Sequence, residues 1–215
     1  MHAAIASLVE GVVDVVDVVD VGAHDGAWAD ETRRTFPGAR VVCLEANPCH
    51  AAALAARGLT FRTCLLGAAT GDTVGFYAAG GTGDSIFREI GPHYRRCEPV
   101  RMATCRLDDV PEVRALRSVD VLKIDVQGAE LDVLRGAPET LAKTELVVAE
   151  ASLLPYNEGA PLVADVVACM ASAGFQVIGV VAIHAVAGLQ AQVDLAFARR
   201  ESRVFRTLAA RVAQR

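Results

Sequence analysis

The chain has 215 residues, 53% hydrophobic and 22% charged, with a net charge of −5. That length and balance fit one folded domain over 1–215 and exclude a disordered chain. The acidic balance argues against a nucleic-acid partner, and the longest apolar run, 175–189, broken by His184 and two glycines, falls short of the ~20 residues that span a bilayer.

The N-terminus shows no basic segment ahead of an apolar stretch, so no signal peptide is expected. Cys43, Cys49, Cys64, Cys97, Cys105 and Cys169 show no C-x-x-C spacing. They read as reduced thiols in a cytoplasmic protein.

In chain order, the triple Val-Val-Asp run over 12–21 is β-branched and apolar, which predicts a buried parallel strand. Residues 27–38 predict a short helix ending near Pro37-Gly38, and 40–46 a second strand. Asn47 and Pro48 open the next helix and Gly58 closes it. Residues 59–69 predict a third strand, and 70–81 a turn with an extended segment. Residues 80–99 have no regular pattern. Strand signals return at 119–126, followed by a helix over 128–141, a strand over 144–152 and a helix over 161–174. Residues 175–181 and 190–199 follow without a helix between them, which predicts an antiparallel pair at the sheet edge. Strand-helix alternation makes this an α/β fold, a three-layer sandwich around a mostly parallel sheet. The core is expected over about 12–198. Val204, Leu208 and Val212 recur at helical spacing in 200–215, which reads as a basic amphipathic C-terminal helix or tail packing on the domain or on a second copy in a homodimer.

Ligands of open α/β sheets bind outside the carboxyl ends of the strands. Of the three aspartates in the opening run, Asp20 stands at that end, while Asp14 and Asp17 fall earlier. Gly22 and Gly26 follow, but His24 stands where a dinucleotide fingerprint needs its second glycine. A nucleoside without pyrophosphate fits better. Glu45, closing the second strand, can accept both ribose hydroxyls. Two acids at neighbouring strand ends also favour a cationic ligand. S-adenosylmethionine has these properties.

The segments DVGAHDG (20–26), CLEANP (43–48), RLDDV (106–110), LKIDVQGAELDVLRGA (122–137), VVAE (147–150) and VDLAF (193–197) together resemble the FkbM family of S-adenosylmethionine-dependent methyltransferases. The resemblance implies a Rossmann-like class I methyltransferase fold, seven strands with one antiparallel edge strand, and O-methylation of a small molecule such as a saccharide. Two departures stand out: only a short helix precedes the first strand, and His24-Asp25 fill the loop where a small polar residue is commoner. His24 is expected either to touch the methionine part of the cofactor or to cap the next helix. The donor contacts expected on this basis are Asp20, Gly22, Ala23, His24, Gly26, Glu45, Ala46, Gly67 and Asp125.

Methyl transfer to a hydroxyl mainly needs alignment and a proton acceptor. Asp125 faces the crevice, but an aspartate, with its ordinary pKa of ~3.9, is a weak base. His93 is better matched, since imidazole ordinarily titrates near ~6.5. Glu150 ends the fifth strand and could orient a base or the substrate. Asp125 and Glu150 could give Mg²⁺ two oxygen ligands; with no third acid in view, a metal is not favoured. Glu130 reads equally as a first-turn acid, and Lys123 as a structural cation. Residues 79–97, with Gly80, Gly81, Gly83 and Gly91, read as a substrate lid in which Ser85, Arg88 and Tyr94, beside Arg95 and Arg96, meet a polar saccharide or polyketide acceptor. Two other readings stay open: an NAD(P)-dependent oxidoreductase of Rossmann type, and a catalytically silent S-adenosylmethionine-binding protein. The acceptor atom could also be nitrogen or a carboxylate oxygen.

Overall fold

The Val-Val-Asp run becomes a strand only in its last five residues. In a computed structural model that describes residues 1–214, α1 (His2–Val9) precedes β1 (Asp17–Val21). Arg215, the end of the expected tail, lies outside the described residues. There follow α2 (Ala27–Thr35), β2 (Arg40–Glu45), α3 (Ala51–Ala56), β3 (Thr60–Thr63), β4 (Leu65–Leu66), β5 (Thr73–Phe76) and β6 (Val100–Cys105). The second half holds α4 (Pro111–Arg114), β7 (Val119–Ile124), α5 (Glu130–Arg135), α6 (Pro138–Ala142), β8 (Thr144–Ser152), α7 (Val163–Ser172), β9 (Phe175–Val186), β10 (Leu189–Arg199) and α8 (Arg203–Ala213).

Seven strands form one sheet in the order β3-β2-β1-β7-β8-β10-β9. The expected antiparallel pair is β9 and β10. The reversed strand is β10, between β8 and β9, so β9 at the edge runs with the rest. Consecutive side chains of a strand point to opposite faces. Val19, Leu44, Leu122 and Val147 therefore join one core with Val133 of α5 and Met170 of α7. Val18, Val41, Val121 and Val148 join the other, with Ile5 of α1, Ala29 of α2, Leu54 of α3 and Val204 of α8. Each such fully buried aliphatic side chain contributes about 1.5–3 kcal/mol, so both faces of the sheet are firmly held. Leu208 packs against the second core, while Val212 is exposed.

Three local expectations change. The third strand splits at Cys64: β3 joins the main sheet and β4 pairs with β6 in a small sheet. β6 carries no sequence signal of its own, because exposed Arg101 and buried Thr104, whose hydroxyl donates to the Ala69 carbonyl, interrupt the apolar pattern. The helix expected over 128–141 breaks into α5 and α6 at Gly136, where a Cβ would overlap the Gly67 carbonyl. No helix among the described residues is long and apolar enough to cross a membrane.

Candidate functional site

The donor loop is built by two glycines. Gly22 follows β1 with φ +76°, and a Cβ there would overlap the backbone carbonyl of Asp125. Gly26 has φ +86°, and a Cβ there would come 2.5 Å from Leu59. Only glycine lets β1 turn this closely against the end of β7. The loop then lays its backbone on Glu45. One carboxylate oxygen accepts from the His24 N–H at 2.8 Å and the other from the Asn47 N–H at 2.7 Å. The Asn47 side chain in turn caps the following turn through the Cys49 N–H.

His24 itself adopts φ +48° and packs on His50, the ring centroids 3.9 Å apart. It does not cap α2: that hydrogen bond is accepted by Asp25, from the Ala27 N–H. The Nε2 atoms of His24 and His50 are buried with no partner.

These residues line a cavity of about 440 Å³ at the carboxyl ends of the strands. Of the donor contacts expected from the sequence, Gly22, Ala23, His24, Glu45, Ala46 and Asp125 line it. Asp20, Gly26 and Gly67 are not among its lining residues. Asp20 is fully buried one layer below, directly across the ladder from Lys123, whose ammonium lies 3.1 Å from it. Lys123 also donates to the Gly22 carbonyl at 3.0 Å and sits 3.4 Å from Asp125. Burial alone would lower the Lys123 pKa, but the Asp20 and Asp125 carboxylates outweigh it and hold the ammonium charged. Asp20 thus anchors the loop through Lys123 rather than touching a ligand. Gly26 packs under the loop against Leu54 and Leu59. Gly67 packs against Thr104 and Gly136, away from the cavity. Asp17 starts β1, paired with Arg40, and Asp14 is exposed ahead of it.

Across the cavity stands a second row of polar groups. Register places Glu150 of β8 opposite Asp194 of β10, and His184 of β9 opposite Gln192. Glu150 accepts from Gln127 at 2.6 Å and from Gln192 at 2.8 Å. Its pKa is pushed up to about 10, first by burial and then by the carboxylates of Asp125, Glu130 and Asp194. Both effects favour the protonated form of Glu150. Asp194, 2% exposed, lies 2.6 Å from Nε2 of His184. His184 is half-exposed and lines the cavity, as do Gln127, Glu150, Tyr156 and Gln192. Glu130 is buried beneath, accepting the Val126 and Gly128 N–H groups, and burial raises its pKa to about 7. It shapes the turn after β7 rather than entering the site.

Donor atoms of Glu150, His184 and Asp194 lie within 4.8 Å of one another. Two ligands at right angles on one Mg²⁺, each 2.0–2.1 Å away, sit about 3 Å apart. The 2.6 Å contact between His184 and Asp194 is the length of a hydrogen bond instead.

The segment 79–97 folds over the cavity, but with different residues inward than expected. Gly81, Thr82, Asp84, Ser85, Ile86 and Glu89 line it. Ser85 is buried, donating to the Val126 carbonyl and accepting from the Phe87 N–H, so it fastens the segment down. Asp84 collects the Ala79 and Gly80 N–H groups, the Asn47 amide and the Tyr94 hydroxyl. Tyr94 is thus buried in the segment's own support. Arg88 faces outward, paired with Glu158. His93 is exposed, edge-on to Tyr94, and does not line the cavity. These three expectations fail for one reason. An irregular stretch has no period to say which side chains turn inward. The sequence reading missed His184 and Asp194 as well. The signal available for them was alternation: Gln190, Gln192 and Asp194 are polar at every second position of an otherwise apolar strand.

The strand order and the cavity at the carboxyl ends define a class: a doubly wound α/β protein with a nucleoside-sized site at its central strands. The methyltransferase FkbM domain matches residues 20–177 of the chain. The 2-O-methyltransferase NoeI of Sinorhizobium fredii (strain NBRC 101917 / NGR234) is 32% identical over 176 residues, covering 74% of this chain and 72% of that protein. Among solved structures, the methyltransferase FkbM of Methylobacillus flagellatus KT superposes with a TM-score of 0.55 at 17% identity, over 85% of this chain and 44% of that one. The chain thus spans less than half the length of that structure. The magnesium protoporphyrin IX methyltransferase (ChlM) of Synechocystis PCC 6803, solved with bound SAM, superposes at 0.54 and 11% identity, over 92% of this chain and 76% of that one. Both likenesses concern the fold. The chain belongs to the FkbM methyltransferase family.

Proposed function

We propose that this protein transfers a methyl group from S-adenosylmethionine to a hydroxyl oxygen of a small polar acceptor, such as a saccharide. The observation that carries the reading is the Glu45 carboxylate. It lines the cavity, and both its oxygens are fixed by loop N–H groups. A carboxylate oriented in this way at the second strand end suits a ribose diol. The two unpartnered ring nitrogens of His24 and His50 in the same wall offer hydrogen bonds that nothing among the described residues takes up. The donor therefore fits the residues present.

When bound, the donor supplies an electrophilic methyl group on a sulfonium sulfur. The chain's own part is to hold, align and deprotonate. Glu45 and the Gly22–His24 backbone hold the nucleoside end. The buried row at β8 and β10 offers a neutral carboxylic acid and amides, groups suited to hydrogen-bond a polyhydroxylated acceptor. The segment 79–97 walls the cavity and limits water. The name of the 2-O-methyltransferase relative supports oxygen as the acceptor atom.

Titration of S-adenosylhomocysteine into the protein, followed by transfer of labelled methyl to a panel of methyl hexopyranosides, tests the reading. Binding with label recovered as a methyl ether is the expected result. Glu45→Ala is expected to weaken S-adenosylhomocysteine about 10- to 100-fold, the worth of a charged hydrogen-bonding group. Binding of NAD in its place would overturn the reading. Binding without transfer to any hydroxylated acceptor would leave a silent binding protein.

A further inference from the structure

We propose that His184 is the catalytic base, taking the acceptor's hydroxyl proton on Nδ1 while Asp194 holds the ring through Nε2; this rests on the O-methyl transfer proposed above. The sequence offered His93 for this step, and the structure leaves that residue outside the cavity. Three histidines line it: His24, His50 and His184. His24 and His50 stack on each other in the donor wall, and neither has a partner at Nε2. His184 alone of the three is joined to a buried carboxylate, at 2.6 Å.

That bond fixes the tautomer. Burial raises the Asp194 pKa and the hydrogen bond to His184 opposes that shift; with the Asp194 carboxylate as acceptor, Nε2 carries the proton and Nδ1 is left with a lone pair. The neighbouring acids are poorer acceptors. Oε2 of Glu150 already takes two amide hydrogens, and burial with its neighbouring carboxylates favours its protonated form. Asp125 is engaged by Lys123 and Gln127. The charged and titratable groups facing His184 are then Asp194 on β10, Glu150 on β8, Asp125 and Lys123 at the end of β7, and Tyr156 after β8. In the step itself, the acceptor oxygen forms a bond to the methyl carbon as the carbon–sulfur bond breaks. The electron pair of that bond stays on sulfur, leaving a neutral thioether. The hydroxyl proton passes to Nδ1, giving an imidazolium that the Asp194 carboxylate stabilises. The half-exposed ring then releases the proton to water.

Two measurements test this. Long-range ¹H–¹⁵N spectra of the full chain labelled at histidine, assigned by the signals lost in His184→Ala, read the tautomer without any turnover. The neutral Nε2–H form is expected, and Asp194→Asn is expected to mix it with the Nδ1–H form. A ring protonated at Nδ1 in the neutral state overturns the proposal, as does a shift of the His184 signals on adding Mg²⁺ to the free protein. In the labelled-methyl assay on methyl hexopyranosides, His184→Ala is expected to lower kcat about 100-fold or more. S-adenosylhomocysteine affinity should stay within twofold. The acid limb of the pH–rate profile should disappear, and added imidazole should restore part of the rate. Asp194→Asn, a positioning change, should lower kcat about tenfold at unchanged KM and be insensitive to imidazole. A His184→Ala rate within threefold of wild type overturns the assignment while leaving the methyl-transfer reading intact. A wild-type protein that methylates none of the glycosides counts against that reading, and the tautomer then decides the His184 assignment alone.

Discussion

Glu45 and Glu150 both stand at the carboxyl end of a strand and both line the same cavity, yet the fold treats them oppositely. Glu45 receives two backbone N–H groups, one from His24 in the loop after β1 and one from Asn47 two residues on. Glu150 is buried, faces three other carboxyl groups that outweigh Lys123, and is hydrogen-bonded only by neutral amides, so its pKa is pushed up. The first half of the site is an acid whose two oxygens are fixed by backbone N–H groups, suited to one fixed ligand. The second is an amide-lined surface of cross-strand side chains with an imidazole at its rim, suited to proton transfer and a variable acceptor. The difference lies in the partners: loop backbone in one half, cross-strand side chains in the other.

The sharpest way to break the donor half is Gly22→Ala. The left-handed backbone and the overlap with the Asp125 carbonyl together should cost more than about 3 kcal/mol in denaturant unfolding. A variant within about 1 kcal/mol of wild type would mean the loop can shift, and that Glu45 is not rigidly set.

The acceptor half is tested by Glu150→Gln across pH. The folded carboxyl keeps its proton to about 10, while the unfolded one releases it near the ordinary 4.5. Its contribution is therefore full below about pH 4.5 and drains away as pH rises toward 10. Glutamine can accept the same two amide hydrogens and has nothing to titrate. At pH 8.5 the variant should be more stable than wild type by at least about 1 kcal/mol, with the gap closing near pH 4.5. Urea unfolding at the two pH values checks it. An equal gap at both would mean Glu150 is ionised in the fold and the contrast with Glu45 is lost.

A smaller effect is expected at the wall shared by both halves. Tyr94→Phe removes the hydroxyl donated to Asp84 and should cost about 1 kcal/mol, read from the thermal midpoint. Its acceptor KM should move little, since Tyr94 does not line the cavity. The smallest is Arg88→Ala. Its pair with Glu158 is half-exposed, so stability should fall by under ~1 kcal/mol with KM unchanged. A large rise in KM would restore Arg88 as an acceptor contact and redraw the acceptor half.

How much of this was legible in advance follows the same division. The donor half is written in contiguous motifs. Strand, glycine turn and helix follow one another over 17–35, and the next strand ends on Glu45, so position along the chain predicted position in the site. Packing changed three placements: Asp20 lies beneath the cavity, where Lys123 of a distant strand claims it, and Gly26 and Gly67 pack away from it. The acceptor half depends on register between β8, β9 and β10, and on how an irregular segment folds back. No local pattern specifies that His184 meets Asp194, or that Tyr94 turns inward while His93 turns out.

The sequence by itself determined the alternation of strands and helices, the nucleoside-type glycine loop and the acid at the end of the second strand. These rest on local backbone preferences and on apolar periodicity, which act over a few residues. Only the tertiary structure decided which carboxyl groups are pushed toward their protonated form, which histidine meets a buried carboxylate and which side chains wall the cavity. Those outcomes are set by burial and by cross-strand neighbours dozens of residues apart, and both come into being only when the sheet closes.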